Sequence, residues 1–387
     1  MARRRRRSRR RKGGALGKQR ETSKPQDDEE ADLEDAAAKA ASSKPKRKES
    51  MEELEARVEE EEDDDDESWN AIHYRKFWND VYSPEHGSYE DTTRIPPMRF
   101  THKPGLGRHI ANMSDTLQIF SVKVAAATTG GLQWPLHVFG TVSVRDFVDR
   151  NRNVLFHCTR DNCQTLTQLE RNLVLVGPTR AVVLSTDPVM IDAELKMKGS
   201  TESEDKFLSL LAVPLVCSSM YSRVLKSGSY TSKLSTLEFR LGYIASSVEA
   251  TISVRVICGS WPDGFRGQFG AFTTGVYCRH LVREGDIASI DHEEIVLLDS
   301  RDEKLVVTGD GKIKLSRCVV SVESMGELKV CIRVWDVDNN VVEKVKVFTA
   351  LEVGLSNGEL DIGFCKLEVN VAWSLISEKP VFADSVL

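Results

Sequence analysis

The residues best suited to chemistry stand in short clusters beside runs of alternating apolar residues. Asp146, Asp149, Arg150, Arg152 and Asn153 follow the run Leu136-His-Val-Phe-Gly-Thr-Val-Ser-Val-Arg145. Loops at sheet ends often carry ligand contacts, and converging carboxylates can hold Ca²⁺. Here the acids are few and the interleaved arginines would repel a cation, so the pattern points to Arg–Asp pairs that fix a loop. Trp261-Pro-Asp-Gly-Phe-Arg266 takes the corresponding place after Thr251–Ile257. His292-Glu-Glu-Ile-Val296 begins like a zinc-protease helix, but the second His is missing, and it reads as a turn before a strand. Pro104-Gly-Leu-Gly-Arg-His109 has two glycines but no strand feeding a helix, which argues against a phosphate loop. A Walker lysine loop, a Gly-x-Gly-x-x-Gly turn and a nucleophile-elbow pentapeptide are all missing from the sequence.

The eight cysteines form no Cys-x-x-Cys pair. Zinc favours closely spaced pairs of ligands, and Cys158/Cys163 has no second pair to match it. Several cysteines sit in strand patterns, as in Val330-Cys-Ile-Arg-Val334, where a free thiol packs as a small apolar side chain. The residues therefore predict no catalytic group, no metal and no cofactor.

The densest charge lies near the start. Residues 1–20 hold eleven Lys/Arg and no acid, and residues 21–67 hold twenty-one acids against seven bases. Arg3, Arg4, Arg5, Arg6, Arg7, Arg9, Arg10, Arg11 and Lys12 form one basic block, and Lys44, Lys46, Arg47 and Lys48 a second. Such clusters neutralise phosphates without reading sequence, or act as a nuclear-import signal. The acidic run Glu59–Glu67 competes for the same arginines, so only weak nucleic-acid binding is expected of this arm. No apolar core follows the basic block, which argues against a secretory leader. No run reaches the ~18–20 apolar residues of a membrane helix. The best candidate, Phe207–Cys217, is short and holds Ser209 and Pro214. The expected setting is nuclear or cytoplasmic, not secreted, with no membrane partner.

Four segments organise these residues. The arm, 1–67, has too few large apolar residues to offset its ordering entropy and is expected to be disordered. Residues 68–116 crowd Trp69, His73, Tyr74, Phe77, Trp78, Tyr82 and Tyr89 together. From Trp69 to Tyr82 their spacing is roughly helical, which predicts a lead-in packed on the domain behind it. Residues 117–377 carry strand-like runs, including Leu117–Ala126, Leu136–Asp146, Leu173–Val176, Val189–Lys198, Leu234–Leu241, Val248–Ile257, Lys312–Glu323, Glu327–Trp335, Val341–Thr349 and Leu360–Trp373. Asp310-Gly311, Ser324-Met-Gly326 and Asp338-Asn-Asn340 supply turns between them. Long helical periodicity is missing. This predicts an all-β, sandwich-like domain, followed by a tail at 378–387. Thr141-Val-Ser-Val-Arg145 resembles Thr251-Ile-Ser-Val-Arg255. Further on, Ala181-Val-Val-Leu184 and Ile191–Met197 resemble Cys318-Val-Val-Ser321 and Leu328–Val334. The pattern predicts two related β-units packed as one body.

Several of these stretches together resemble a grass (cereal) protein family that carries the domain of unknown function 6598. They are Leu117-Gln-Ile-Phe-Ser-Val-Lys-Val-Ala125, Pro135–Asp146, Arg150-Asn-Arg-Asn153 and Thr159-Arg-Asp-Asn-Cys-Gln164. Gly177-Pro-Thr-Arg-Ala-Val182, Lys198–Asp205, Ser247-Val-Glu-Ala-Thr-Ile252, Gly363-Phe-Cys-Lys366 and Val371-Ala-Trp-Ser-Leu375 continue the match in order, as does the lead-in Asp91–Phe100. The resemblance spans residues 75–377 and leaves out the arm. It implies no established activity. Similar domains occur in chains linked to ribosome-inactivating toxins, whose adenine removal from ribosomal RNA uses a Glu-x-x-Arg pair. This chain has no Glu-x-x-Arg, so no toxin residue is carried over. The expectation is a non-enzymatic binding or interaction module in a stress or defence setting, with a protein partner. The alternatives are a protein associated with rRNA N-glycosidases, and nucleic-acid binding through the Arg-rich arm.

Overall fold

Side chains at alternate positions of an extended chain face opposite ways, so a period of two buries one face of a strand. That alternation builds the architecture in the computed structural model, which describes residues 66–103, 110–126, 132–226, 228–275, 289–300 and 305–381. Residues 1–65 of the basic and acidic arm lie outside the described residues, as do Pro104–His109 and Cys278; its last two residues, Asp66 and Glu67, open a helix. The first strands are β1 (Ser114–Ala126), β2 (Leu136–Arg145), β3 (Asn153–Cys158), β4 (Gln164–Leu166) and β5 (Val182–Val183). Then come β6 (Val189–Met197), β7 (Lys206–Leu215), β8 (Arg223–Val224), β9 (Gly228–Ser232) and β10 (Ser235–Gly259). The second half holds β11 (Arg266–Thr273), β12 (Ile295–Asp299), β13 (Lys312–Ile313) and β14 (Val319–Glu323). It ends with β15 (Glu327–Trp335), β16 (Val341–Thr349), β17 (Gly354–Asp361) and β18 (Cys365–Ser374).

The strands form three sheets. The central one runs β17-β18-β10-β1-β5, with β8, β9, β13 and β14 also on β10. One outer sheet is β3-β2-β6-β7, with β4 on β2, and the other is β12-β11-β15-β16. The organising element is β10, whose 25 residues span about 80 Å at ~3.3 Å per residue. Its first half pairs with β1, from Ala126↔Ser235 to Ser114↔Ser247. Its second half pairs with β18, from Glu249↔Ser374 to Gly259↔Cys365. Each half has its own core. Leu117, Val142, Ile191, Leu211 and Phe239 belong to the first. Ile252, Phe269, Val330, Leu367 and Trp373 belong to the second.

The two sandwiches repeat one topology. The pairings β1–β10, β1–β5, β2–β3, β2–β6, β6–β7 and β9–β10 recur as β10–β18, β10–β14, β11–β12, β11–β15, β15–β16 and β17–β18. Strand β10 is thus the last central strand of the first unit and the first of the second. This agrees with two related units in one body, and it corrects half of the alignment read from sequence. Val182–Val183 and β6 do correspond to Val319–Val320 and β15. Thr141–Arg145 lies in an outer sheet and Thr251–Arg255 in the central one, so that pair is not equivalent. Their Thr-x-Ser-Val likeness reflects a strand composition common to any half-buried sheet.

Other strand boundaries also move. Leu234–Leu241 and Val248–Ile257 are one strand, continuous through Ser246 at φ 43°. Asp115 holds that irregular point: its carboxylate accepts the Ser246 N–H at 2.8 Å and the Tyr243 hydroxyl. Leu173–Val176 is not a strand. It crosses between sheets, donating Leu173 N–H to Val122 O and Val176 N–H to Leu155 O. Leu360–Trp373 divides into a hairpin at Gly363, φ 95°. Lys312–Glu323 divides into β13 and β14.

The lead-in forms α1 (Asp66–Val81) and a single turn, α2 (Ser83–His86). Helix α1 packs on β7 and β9, with Ser68 Oγ 3.1 Å from Ser232 Oγ. Trp78 is fully buried, and its Nε1–H donates to Arg150 O at 3.0 Å. None of the described helices is long and apolar enough to cross a membrane.

Candidate functional site

The Asp/Arg cluster after β2 closes on itself. Asp146 accepts both Arg180 Nη groups, at 2.7 and 2.8 Å, and the Val183 N–H at 2.8 Å. Asp149 accepts the Thr93 hydroxyl at 2.7 Å and the Arg94 and Asn151 N–H groups. Burial pushes Asp149 up, but these three hydrogen bonds leave it below its ordinary value. Asp192, on the adjacent strand β6, accepts Arg145 Nη2 and Arg152 Nε, each at 3.1 Å. Burial opposes its charge, yet the two guanidinium groups hold it below the usual carboxylate range. The Arg145 guanidinium also lies over Tyr89, 4.0 Å from the ring centroid, and over Trp78 at 5.2 Å. The acids therefore serve donors of this chain, and the cluster clamps the lead-in to the first sandwich. A second pin stands where the sandwiches meet. Buried Glu249 accepts Met98 N–H at 2.6 Å and Ala181 N–H at 2.8 Å, and burial lifts its carboxyl to about 6.

A more open arrangement lies at the seam between the units. A cleft of about 330 Å³ runs between β1 with the crossing segment 169–175 on one side and β11 with β12 on the other. That volume is at the lower end for small-molecule sites, ~300–1,000 Å³. Its wall includes Phe120, Leu173, Leu297 and Leu298. Its more exposed lining includes Leu169, Val174 and Val296, at 96%, 42% and 37% exposure. Arg317 also lines it, yet is only 2% exposed. Its side chain crosses the seam: Nε–H donates to Val296 O at 2.8 Å, Nη1–H to Ile119 O at 2.9 Å and Nη2–H to Phe120 O at 3.4 Å. The Ile119 and Phe120 carbonyls lie where the β1–β10 register shifts between Ile119 and Ser121, a bulge that leaves Phe120 unpaired in the ladder. Gly242 pairs with Gln118 beside the bulge, and a Cβ there would come within 2.8 Å of the Phe120 ring.

Arg3–Arg7, Arg9–Lys12, Lys44, Lys46, Arg47 and Lys48 lie outside the described residues. The loop cluster Asp146–Asn153 is brought together as Arg–Asp pairs. Trp261 packs on Phe269 and Phe364, and Arg266 pairs with Asp299 at 3.0 Å, so that loop is also braced from within. His292 is exposed in a turn, and β12 starts at Ile295. The seven described cysteines are free thiols. Among the described residues no group of three or more His, Cys, Asp and Glu is placed to hold a metal ion. Arg317 escaped notice in the sequence because Ser316-Arg-Cys318 carries no local pattern; its interest lies in carbonyls some two hundred residues away.

None of the curated proteins matches this chain. Among solved structures, human GIVD cytosolic phospholipase A2 aligns with 70% of this chain and 33% of its own, at 6% identity and a TM-score of 0.21. The chain thus spans about a third of that structure, and a likeness so low carries no argument about fold or activity. A family model described as domain of unknown function (DUF6598) matches residues 116–371. The match starts in β1 and ends in β18, taking in both sandwiches and the strand they share. This chain belongs to the DUF6598 family.

Proposed function

We propose that this protein is a non-enzymatic binding module of a grass stress or defence setting, working in the nucleus or cytoplasm. The observation that carries the reading is the seam cleft: it is open to solvent, lined by aliphatic and polar side chains in similar measure, and built where the two sandwiches meet. Clefts between packed units with a few polar groups are the usual seats of ligands. The polar clusters elsewhere satisfy one another and act as braces. The Arg-rich arm supports a separable reading, import or weak phosphate contact, because its basic charge is concentrated in two blocks, within residues 1–20 and 44–48.

Hydrogen–deuterium exchange of the full-length protein, with and without a panel of plant metabolites and a leaf extract, tests the proposal. The expected result is protection confined to peptides covering Phe120, Leu173–Leu175 and Val296–Leu298. Protection elsewhere, with those peptides unchanged, would refute the cleft as the seat. Adenine release from ribosomes incubated with the protein would refute the non-enzymatic reading and favour the rRNA N-glycosidase alternative.

A further inference from the structure

Of the four buried arginines among the described residues, three face carboxylates: Arg145 and Arg152 meet Asp192, and Arg180 meets Asp146. Arg317 is the exception. Its three hydrogen bonds all go to backbone carbonyls, and burial with no carboxylate to oppose it pushes its pKa down to about 10. A guanidinium carries five N–H donors, so two remain beyond those three bonds. A buried charge without a counter-charge is costly, and natural proteins nearly always pair it.

The cleft also contains two carboxylates, and neither fills this role. Asp299 is matched by Arg266, at 3.2 and 3.0 Å, and Glu170 stands exposed beside Leu169. The wall thus holds an uncompensated cation at its buried part, and aliphatic side chains together with Glu170 where it opens to water. Ser121, Asn172, Gln268 and Ser316 add uncharged polar groups to the lining.

We infer that the seam cleft seats a small amphiphile whose carboxylate meets Arg317 and whose aliphatic body lies along Leu169, Val174 and Val296. The inference rests on the proposed reading of the cleft as a ligand seat and names its ligand class. A carboxylate suits the two remaining donors because its paired oxygens match the guanidinium fork. The apolar body would cover the parts of these side chains that the described fold leaves exposed.

Isothermal titration of the full-length protein tests this with three ten-carbon probes kept below micelle-forming concentration: decanoate, decanol and decyltrimethylammonium. Leu169→Glu and Val174→Glu serve as cleft variants, since both positions are exposed and outside the strands; an unchanged thermal transition verifies their folding. Decanoate is expected to bind at least tenfold more tightly than decanol and the ammonium probe, and each variant to weaken it at least tenfold. Equal binding of decanoate and decanol, weakened alike by the variants, would overturn the carboxylate assignment while leaving the cleft as a seat. Decanoate binding indifferent to both variants would overturn the location and with it the proposed seat. No binding of any probe would overturn the amphiphile, leaving the cleft itself to the exchange experiment.

Discussion

At the scale of single residues, the polar side chains sort by whether this chain itself neutralises them. Asp146 with Arg180 and Asp192 with Arg145 and Arg152 are internally matched, and removing one member of such a buried pair typically costs ~3–5 kcal/mol. Glu249 is different, since its hydrogen-bond partners are two amide N–H groups and the Thr251 hydroxyl, and burial dominates. Its carboxyl lies at about 6 in the folded protein against 4.5 when unperturbed. The folded state therefore prefers the protonated form. Its stabilising contribution is complete below pH 4.5 and is lost as pH rises through 6, a difference of about 2 kcal/mol at ~1.4 kcal/mol per pKa unit. Glu249→Gln keeps the shape and removes the titration. In urea denaturation at intervals from pH 4 to 7, wild type should lose about 2 kcal/mol relative to Glu249→Gln; a pH-independent difference would refute the assignment. The loop acids were legible in the sequence because two acids and two arginines fall within eight residues, Asp146 to Asn153. Glu249 and Arg317 were not, because one sits in an ordinary strand and the other is defined by distant carbonyls.

At the scale of elements, alternation made most strands readable, and it failed where hydrogen bonds rather than side-chain period set the boundary. Gly242 and the Ser246-Ser247 pair read as a break, yet Asp115 and Thr116 carry the ladder through them, with Thr116 Oγ1 2.7 Å from Ser247 Oγ. Leu173–Val176 has the right period for a strand, but its N–H groups serve two different sheets. The aromatic lead-in was readable as helix and as a packing segment because its rings recur at roughly helical spacing. Which ring is buried was not: Trp69 and Phe77 are about half exposed while Trp78 is fully enclosed. Trp78→Ala should therefore cost ~3–5 kcal/mol, the range for truncating a buried aromatic. Trp78→Phe keeps most of the packing and loses mainly the bond to Arg150 O, worth ~1 kcal/mol. Equilibrium denaturation of both variants checks this, and a loss under ~1 kcal/mol for the alanine would show that the helix docks without Trp78.

At the scale of the whole body, residues 66–381, the shared strand turns a duplication into a coupled structure. The repeat was partly readable, through the Val-Val strands and β6 with β15, but the shared strand was hidden because pairing partners lie more than a hundred residues apart. Two sandwiches joined by a linker can melt separately. Here, unfolding the first would strip β1 from β10 and remove the Ile119 and Phe120 carbonyls from buried Arg317. It would also release the Ala181 N–H from Glu249. Each loss falls on residues that the second sandwich must keep ordered. Both halves should consequently unfold in one transition, monitored alike by tryptophan fluorescence, far-ultraviolet circular dichroism and calorimetry. Leu211→Ala in the first core and Leu367→Ala in the second should each lower that one midpoint, at the ~2–5 kcal/mol typical of buried leucine truncation. Two resolved transitions, each moved by only one of the variants, would show instead that β10 can fray in one half while the other holds. In that case the seam cleft would open before the protein unfolds, and ligand would be expected to raise the first transition alone.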